Sequence, residues 1–290
     1  MKALSFIFFI ALFVSCKKET TMESASPRLV FQFVFDSLQQ RLNNIGDPAV
    51  LPSNHGAQSP KFNKMSAHYI ELASNKYTPL GSGIILYKAP ETTLGGSNAI
   101  DFDKSTFAAN EEAFFSIPIS NISPGTYDWL RVSLAYQNYD IKVKYGANVY
   151  TGTVASFVGF NTFIRSFTIK STTKTLNSNR RQGYWAFEGP LGYNIEGLAP
   201  ENATTVPNPI FNTSPIPAGS CVVTGAFAQG SATHPLVITG NETSDITVEV
   251  RLSTNKSFEW KEAVSDGLYE PAAGDSIVDM GLRGMIPTWY

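Results

Sequence analysis

The sequence predicts an all-β protein, an immunoglobulin-like antiparallel β-sandwich with one long proline-rich loop. Three observations predict it. Apolar residues recur with period two along most of the chain, the spacing that places alternate side chains on one face of a strand. Gly, Pro and Asn interrupt these runs at short intervals, as turns between short strands require. Helical periodicity is scarce, and no strand–helix alternation marks parallel α/β units.

The elements follow in order. Residues 29–35 form a first strand with Phe31, Phe33 and Phe35 on one face. Residues 36–44 leave helix and loop open: Asp36 is a capping residue type and Leu38 and Leu42 lie four apart, but the apolar stripe is thin. Residues 65–72 alternate, with His68, Ile70 and Leu72 on one face and Ala67, Tyr69 and Glu71 on the other. Residues 83–87 and 113–117 are short strands. Pro124-Gly125 then turns the chain into 126–136, where Leu130, Val132, Leu134 and Tyr136 oppose Arg131 and Ser133. Residues 140–145 and 148–154 flank Gly146-Ala147 as a hairpin. Further strands are expected over 163–169, 184–187, 221–227, 236–239, 246–252 and 257–260. Residues 189–219 hold Pro190, Pro200, Pro207, Pro209, Pro215 and Pro217. Proline at that density bars a central strand, and ordered loops of such length are usually functional.

The chain opens with Lys2, an apolar run over 3–14, the small Ser15 and then Cys16. The run is too short to span a bilayer as a helix and reads as the core of a secretory signal. Ser15-Cys16 resembles the lipobox of bacterial lipoproteins. The resemblance implies cleavage before Cys16, lipidation of its thiol, and a location in the cell envelope with the membrane as partner. A single acyl chain binds a membrane only marginally, and the two or three chains of that family anchor it durably. The expected organisation is a signal peptide over 1–15, a lipidated cysteine and polar tether over 16–28, and one elaborated β-sandwich over 29–290. Ser15-Cys16-Lys17-Lys18 and the aromatic-rich body resemble lipoproteins of the Bacteroidota. Asp36-Ser37-Leu38 and Asp275-Ser276-Ile277 resemble the O-glycosylation sites of that group.

Net charge is −2 with 16% charged residues, and the closest basic cluster is the pair Arg180-Arg181. This excludes the basic patch that nucleic-acid binding needs. Hydrophobic residues make up 43% and aromatic residues 12%, enough for a substantial core. With Cys16 given to lipid, Cys221 is left alone in a β-like run and reads as a small buried hydrophobe.

Residues 29–33, then 65–72, then Ser123-Pro124-Gly125-Thr126-Tyr127-Asp128-Trp129-Leu130-Arg131 resemble the order of segments in MbnP-like β-sandwich proteins. Those are periplasmic or surface proteins, some of which bind copper through His beside an oxidised Trp. The resemblance covers about 29–145 and implies the fold. The chain has only His55, His68 and His234, and no Trp adjoins a His, so the copper chemistry does not carry over with the fold. His55 and His68 are the candidate ligands should copper be held. Read by themselves, His55 sits in a turn-like loop and His68 on a strand face with Ile70 and Leu72, where a hydrogen-bonded core histidine is the simpler account.

Asp266, Glu270, Asp275 and Asp279 supply oxygen donors for a hard cation such as calcium. Their spacing lacks an EF-hand core, and Asp266-Gly267 and Gly274-Asp275 read equally as turns. No G-x-S-x-G, H-E-x-x-H, Walker A or dinucleotide fingerprint occurs. Tyr127 and Trp129, beside Arg131 on the second face of their strand, are candidates to stack on a sugar or a partner protein, as are Tyr184-Trp185 and Trp289-Tyr290. The expectation is a lipid-anchored, non-catalytic envelope protein that binds an unidentified ligand. The alternatives are an MbnP-like copper binder and a glycan-binding or glycan-active surface lipoprotein.

Overall fold

The computed structural model describes residues 26–43, 46–75, 77–199 and 220–290. The expected signal peptide, Cys16, nearly all of the expected tether and residues 200–219 of the proline-rich stretch lie outside the described residues. Strands dominate, and the only helical segments among the described residues are short 3-10 turns.

A four-stranded sheet runs in the order Met285–Trp289, Ile246–Ser253, Arg28–Asp36, Ala113–Pro118. A seven-stranded sheet runs Asn194–Leu198, Tyr184–Glu188, Asn148–Phe157, Trp129–Tyr145, Lys61–Ala73, Ile84–Lys88, with Val222–Ala226 joined beside the first part of Trp129–Tyr145. The two sheets face each other. Phe35 of the first meets Phe62 of the second at 4.9 Å between ring centres, and Phe62 meets Tyr139 at 5.0 Å. Leu29, Phe31, Phe33, Val248 and Val250 on one side share a single buried cluster with Met65, Val132 and Leu134 on the other.

A third layer covers the opposite face of the seven-stranded sheet. Thr173–Arg181, Asn161–Thr168, Ala99–Asp101 and Glu91–Thr92 form it. Ile164 and Phe167 pack there on Tyr136, Phe157 and Tyr184. The strand Trp129–Tyr145 is therefore covered on both sides, and eleven of its seventeen residues are buried. Two-sided burial explains why Arg131 and Ser133, assigned by alternation to the outer face, are buried as well.

Three expectations are corrected and one open reading is settled. Pairing is not purely antiparallel: Arg28–Asp36 runs parallel to Ile246–Ser253 with Phe31 beside Val248, and Asn161–Thr168 runs parallel to Ala99–Asp101. The segment 36–44, where helix and loop stood open, holds no helix over its described residues 36–43. The Asp36 carboxylate does accept the N–H groups of Leu38 and Gln39, but Leu38 is 89% exposed, so no apolar face holds a helix down, and the chain goes on to a bridge between Leu42 and Pro48. The strand expected over 126–136 is divided at Asp128: Gly125–Tyr127 pairs with Leu236–Ile238, and Trp129–Tyr145 enters the large sheet.

The third correction concerns His68. The ladder between Lys61–Ala73 and Trp129–Tyr145 slips between Ala67 and Tyr69. This irregularity changes which residues face the core. Ala67, Ile70 and Leu72 reach the inter-sheet cluster, while His68 stacks on Phe160 at 5.2 Å on the other side. There His68 Nε2 lies 2.9 Å from Glu91 Oε1. Burial pushes the His68 pKa below its ordinary 6.5 despite Glu91. The ring is thus neutral, with its Nε2–H donated to the carboxylate. Burial also opposes the charge on Glu91, but hydrogen bonds from His68, Asn98 and Lys88 outweigh it and hold the carboxyl at about 2.

Both groups bind fewer protons folded than unfolded on the acid side. Stability contributed by neutral His68 is present above 6.5 and lost as pH falls below it; that of Glu91 is present above 4.5 and lost as pH falls toward 2. The urea midpoint is expected to fall in two stages on acidification. Glu91→Gln keeps an acceptor for His68 and should flatten the stage below pH 4.5; superimposable pH curves for the two proteins would remove Glu91 from this account.

Candidate functional site

The residues singled out from sequence do not converge on a metal. His55 lies with Nδ1 2.6 Å from Glu259 Oε1, and His68 bonds Glu91. The two histidines serve different carboxylates. Among the described residues no group of three or more His, Cys, Asp or Glu is placed to hold a metal ion.

The acidic quartet is divided as well. Asp275 is buried and accepts the backbone N–H groups of Ala263 and Glu270, as a turn residue does. Asp279 pairs with Arg283 at 2.6 Å. Asp266 and Glu270 do come together, but around an internal cation: Lys144 Nζ lies 2.6 Å from Asp266 Oδ2 and 2.9 Å from Glu270 Oε2. The hydrogen bond from Lys144 holds the Asp266 carboxyl below its ordinary range, and those carboxylates in turn raise the lysine.

Tyr127, Trp129 and Arg131 do not form a surface platform. Tyr127 is buried and donates its hydroxyl to the Ser123 carbonyl at 2.6 Å. Arg131 is buried, donates to the Thr78 carbonyl at 2.7 Å and faces Glu71 at 3.8 Å. Trp129 is half-buried. Of the other aromatics, Trp289 stacks on His234 at 4.7 Å and donates to its carbonyl. Trp185 has a different surrounding.

Trp185 lines a cleft of about 760 Å³. The cleft lies between the seven-stranded sheet and the C-terminal segment 258–280. Its floor is the seven-stranded sheet, where Ile141, Val143, Val154, Trp185 and Phe187 project from three adjacent strands. Tyr193 and Ile195 extend the floor at the sheet edge. The C-terminal segment forms the opposite wall through Tyr269, Pro271, Ala272, Ile277 and Met280. Phe258, buried in the inter-sheet core, closes the inner end. Tyr145 and Tyr150 from the hairpin and Lys144 with its two carboxylates stand at the mouth.

Local sequence places these rings. Two glycines act by close approach. A Cβ on Gly197 would sit 2.5 Å from the Trp185 ring, and one on Gly152 would sit 2.2 Å from the Phe187 ring. Each aromatic thus lies flat on the backbone of a neighbouring strand, which leaves the volume above it free. On the wall, Tyr269 packs on Phe258 and Trp260 at 5.1 and 5.5 Å. Burial, with Asp275 and Tyr193 nearby, raises the Tyr269 hydroxyl to about 12. The phenol is neutral at physiological pH and available as a hydrogen-bond donor. The volume falls within the range of small-molecule sites, and such a lining suits a ligand with a large apolar body.

No family model matches the chain, and no curated protein or solved structure matches it significantly. The cleft therefore stands on its own geometry. Sequence reasoning reached Trp185 as an exposed aromatic and Asp266 and Glu270 as oxygen donors. It missed Tyr145, Tyr150, Phe187, Tyr193, Tyr269 and Lys144. The available signal was the run of aromatic residues on either side of the 146–147 turn and around 184–193.

Proposed function

We propose that this is a lipid-anchored, non-catalytic binding protein of the bacterial envelope and that the aromatic cleft takes its ligand. The observation that carries the reading is the cleft itself: an open apolar volume bounded by aromatic rings, with a single charged side chain in its lining. That lysine already bonds two carboxylates, so among the described residues no free carboxylate, imidazole or thiol lines the volume, and binding is what the donor set supports. A glycan would need hydroxyl-bonding groups along both walls, whereas these walls are mostly hydrocarbon. The anchor rests on the Ser15-Cys16 resemblance.

The test has two parts. Radiolabelled palmitate should enter the expressed protein and fail to enter Cys16→Ser; equal labelling, or none in either, overturns the anchor. The organic extract of protein purified from its own membrane should contain a small apolar molecule. Ala272→Trp fills the mouth from an exposed position and should abolish that molecule. An extract that is empty, or the same from both proteins, overturns the cleft as the binding site.

A further inference from the structure

We infer that the cleft selects a ligand whose apolar body carries a cationic head, such as a quaternary ammonium or an amine. This rests on the cleft being the binding site and adds the charge of what enters it. Lys144 lines the cleft, and two carboxylates outside the lining bond it directly: Asp266 at 2.6 Å and Glu270 at 2.9 Å. Together they carry a net charge of −1. Lys142 is not among the residues that line the cleft and bonds Thr151 Oγ1 at 2.6 Å. Glu262 accepts the N–H of Gly267, and Asp275 is turned to backbone amides.

A lysine in a binding cleft ordinarily attracts anions. Here its charge is more than cancelled before any ligand arrives, so an anionic head meets net repulsion. A cation meets net attraction. It also meets aromatic rings, because Tyr145, Tyr150, Tyr193 and Tyr269 line the same cleft, and aromatic faces attract ammonium groups. The apolar body is accommodated over Trp185 and Phe187, and desolvation of those rings supplies the sequence-independent part of the affinity.

One net charge at contact distance in a solvent-exposed mouth corresponds to about tenfold between a cationic and an anionic head. Three probes with the same body measure it by isothermal titration of the full chain: 2-naphthylmethyl-trimethylammonium, 2-naphthylmethanol and 2-naphthylacetate. The expected order is ammonium, alcohol, carboxylate, with about tenfold between the ends. Asp266→Asn combined with Glu270→Gln leaves Lys144 as an uncancelled positive charge and should invert the order. Lys144→Met leaves both carboxylates and should widen it. Equal affinity for all three probes, or an order unmoved by both variants, overturns the charge selection and leaves the cleft as a binding site. Failure of every probe to bind overturns both.

Discussion

Replacing Glu259 by alanine is expected to cost about 3–5 kcal/mol, the range for removing one partner of a buried ion pair. Glu259 projects from the strand Phe258–Lys261, with its side chain 6% exposed. Its Oε2 accepts from Arg41 at 2.9 Å and from Arg283 at 2.5 Å, and its Oε1 lies 2.6 Å from His55 Nδ1. One carboxylate thereby joins the loop after the first strand, the short strand His55–Gln58 and the C-terminal segment. Arg41 also donates to the carbonyls of Asn255 and Lys256, and Arg283 pairs with Asp279.

Alanine would leave two largely buried guanidinium groups facing each other, their side chains 10% and 16% exposed. That repulsion, added to lost hydrogen bonds, places the effect well above that of an exposed pair. Burial works against the Glu259 charge, but His55, Arg283 and Arg41 overcome it and hold the carboxyl below its ordinary 4.5. The stabilisation is therefore present above pH 4.5 and is lost as pH falls through the folded value. Urea unfolding at pH 7 measures the loss. Glu259→Gln, which keeps acceptor atoms, should lose less. A loss below 1 kcal/mol for alanine would show that solvent screens the cluster as it does a surface pair.

Gly225→Ala should destabilise by about 3 kcal/mol, the upper end for added volume in a packed interior. The reason is close approach. Gly225 lies on Val222–Ala226, opposite Leu130 in the seven-stranded sheet. A Cβ there would sit 2.3 Å from the Met285 carbonyl oxygen and 2.9 Å from Pro287 Cδ. Met285–Trp289 belongs to the four-stranded sheet, so the obstacle is the backbone of the facing sheet and cannot rotate away like a side chain. Gly146 is the control. It has φ +59 at the hairpin tip, and nothing lies within 4 Å of an added Cβ. Asparagine tolerates that conformation, so Gly146→Asn should unfold near the wild-type urea concentration. Near-equal midpoints for the two variants would mean that the sheets slide apart freely at Gly225.

The strands were legible where one face is buried and the other wet. Residues 246–252 and 29–35 alternate because the four-stranded sheet covers one side only. The hairpin around Gly146 was legible because its tip needs a residue comfortable at positive φ. Thr173–Arg181 escaped detection: no residue in it is buried, and its pattern in the sequence is polar. Met285–Trp289 escaped because Pro287 interrupts it, which an edge strand tolerates. Asn194–Leu198 lies at the other sheet's edge and was hidden within a proline-rich stretch.

The candidate site was legible only in fragments. Asp266 and Glu270 were read as oxygen donors for a hard cation; in the structure both bond Lys144, which lies more than a hundred residues away in sequence. Sequence spacing carries no information about such a partner. Tyr127 and Arg131 looked exposed because alternation assigns them to the outer face of a two-layer sandwich. Tyr127 instead joins the inter-sheet cluster, and Arg131 is met by the Thr78 carbonyl and Glu71.

By itself the sequence determined the class of structure: period two, frequent turns and too little helical stripe leave strands as the stable choice. It also determined the absence of familiar catalytic motifs, since those are local patterns. Only the tertiary structure decided the side on which His68 lies, the parallel partner of the first strand and the opening lined by Trp185 and Tyr269. Alternation and turn preference act between near neighbours, whereas ladder slips, strand partners and gaps between sheets arise from packing among segments far apart in the chain.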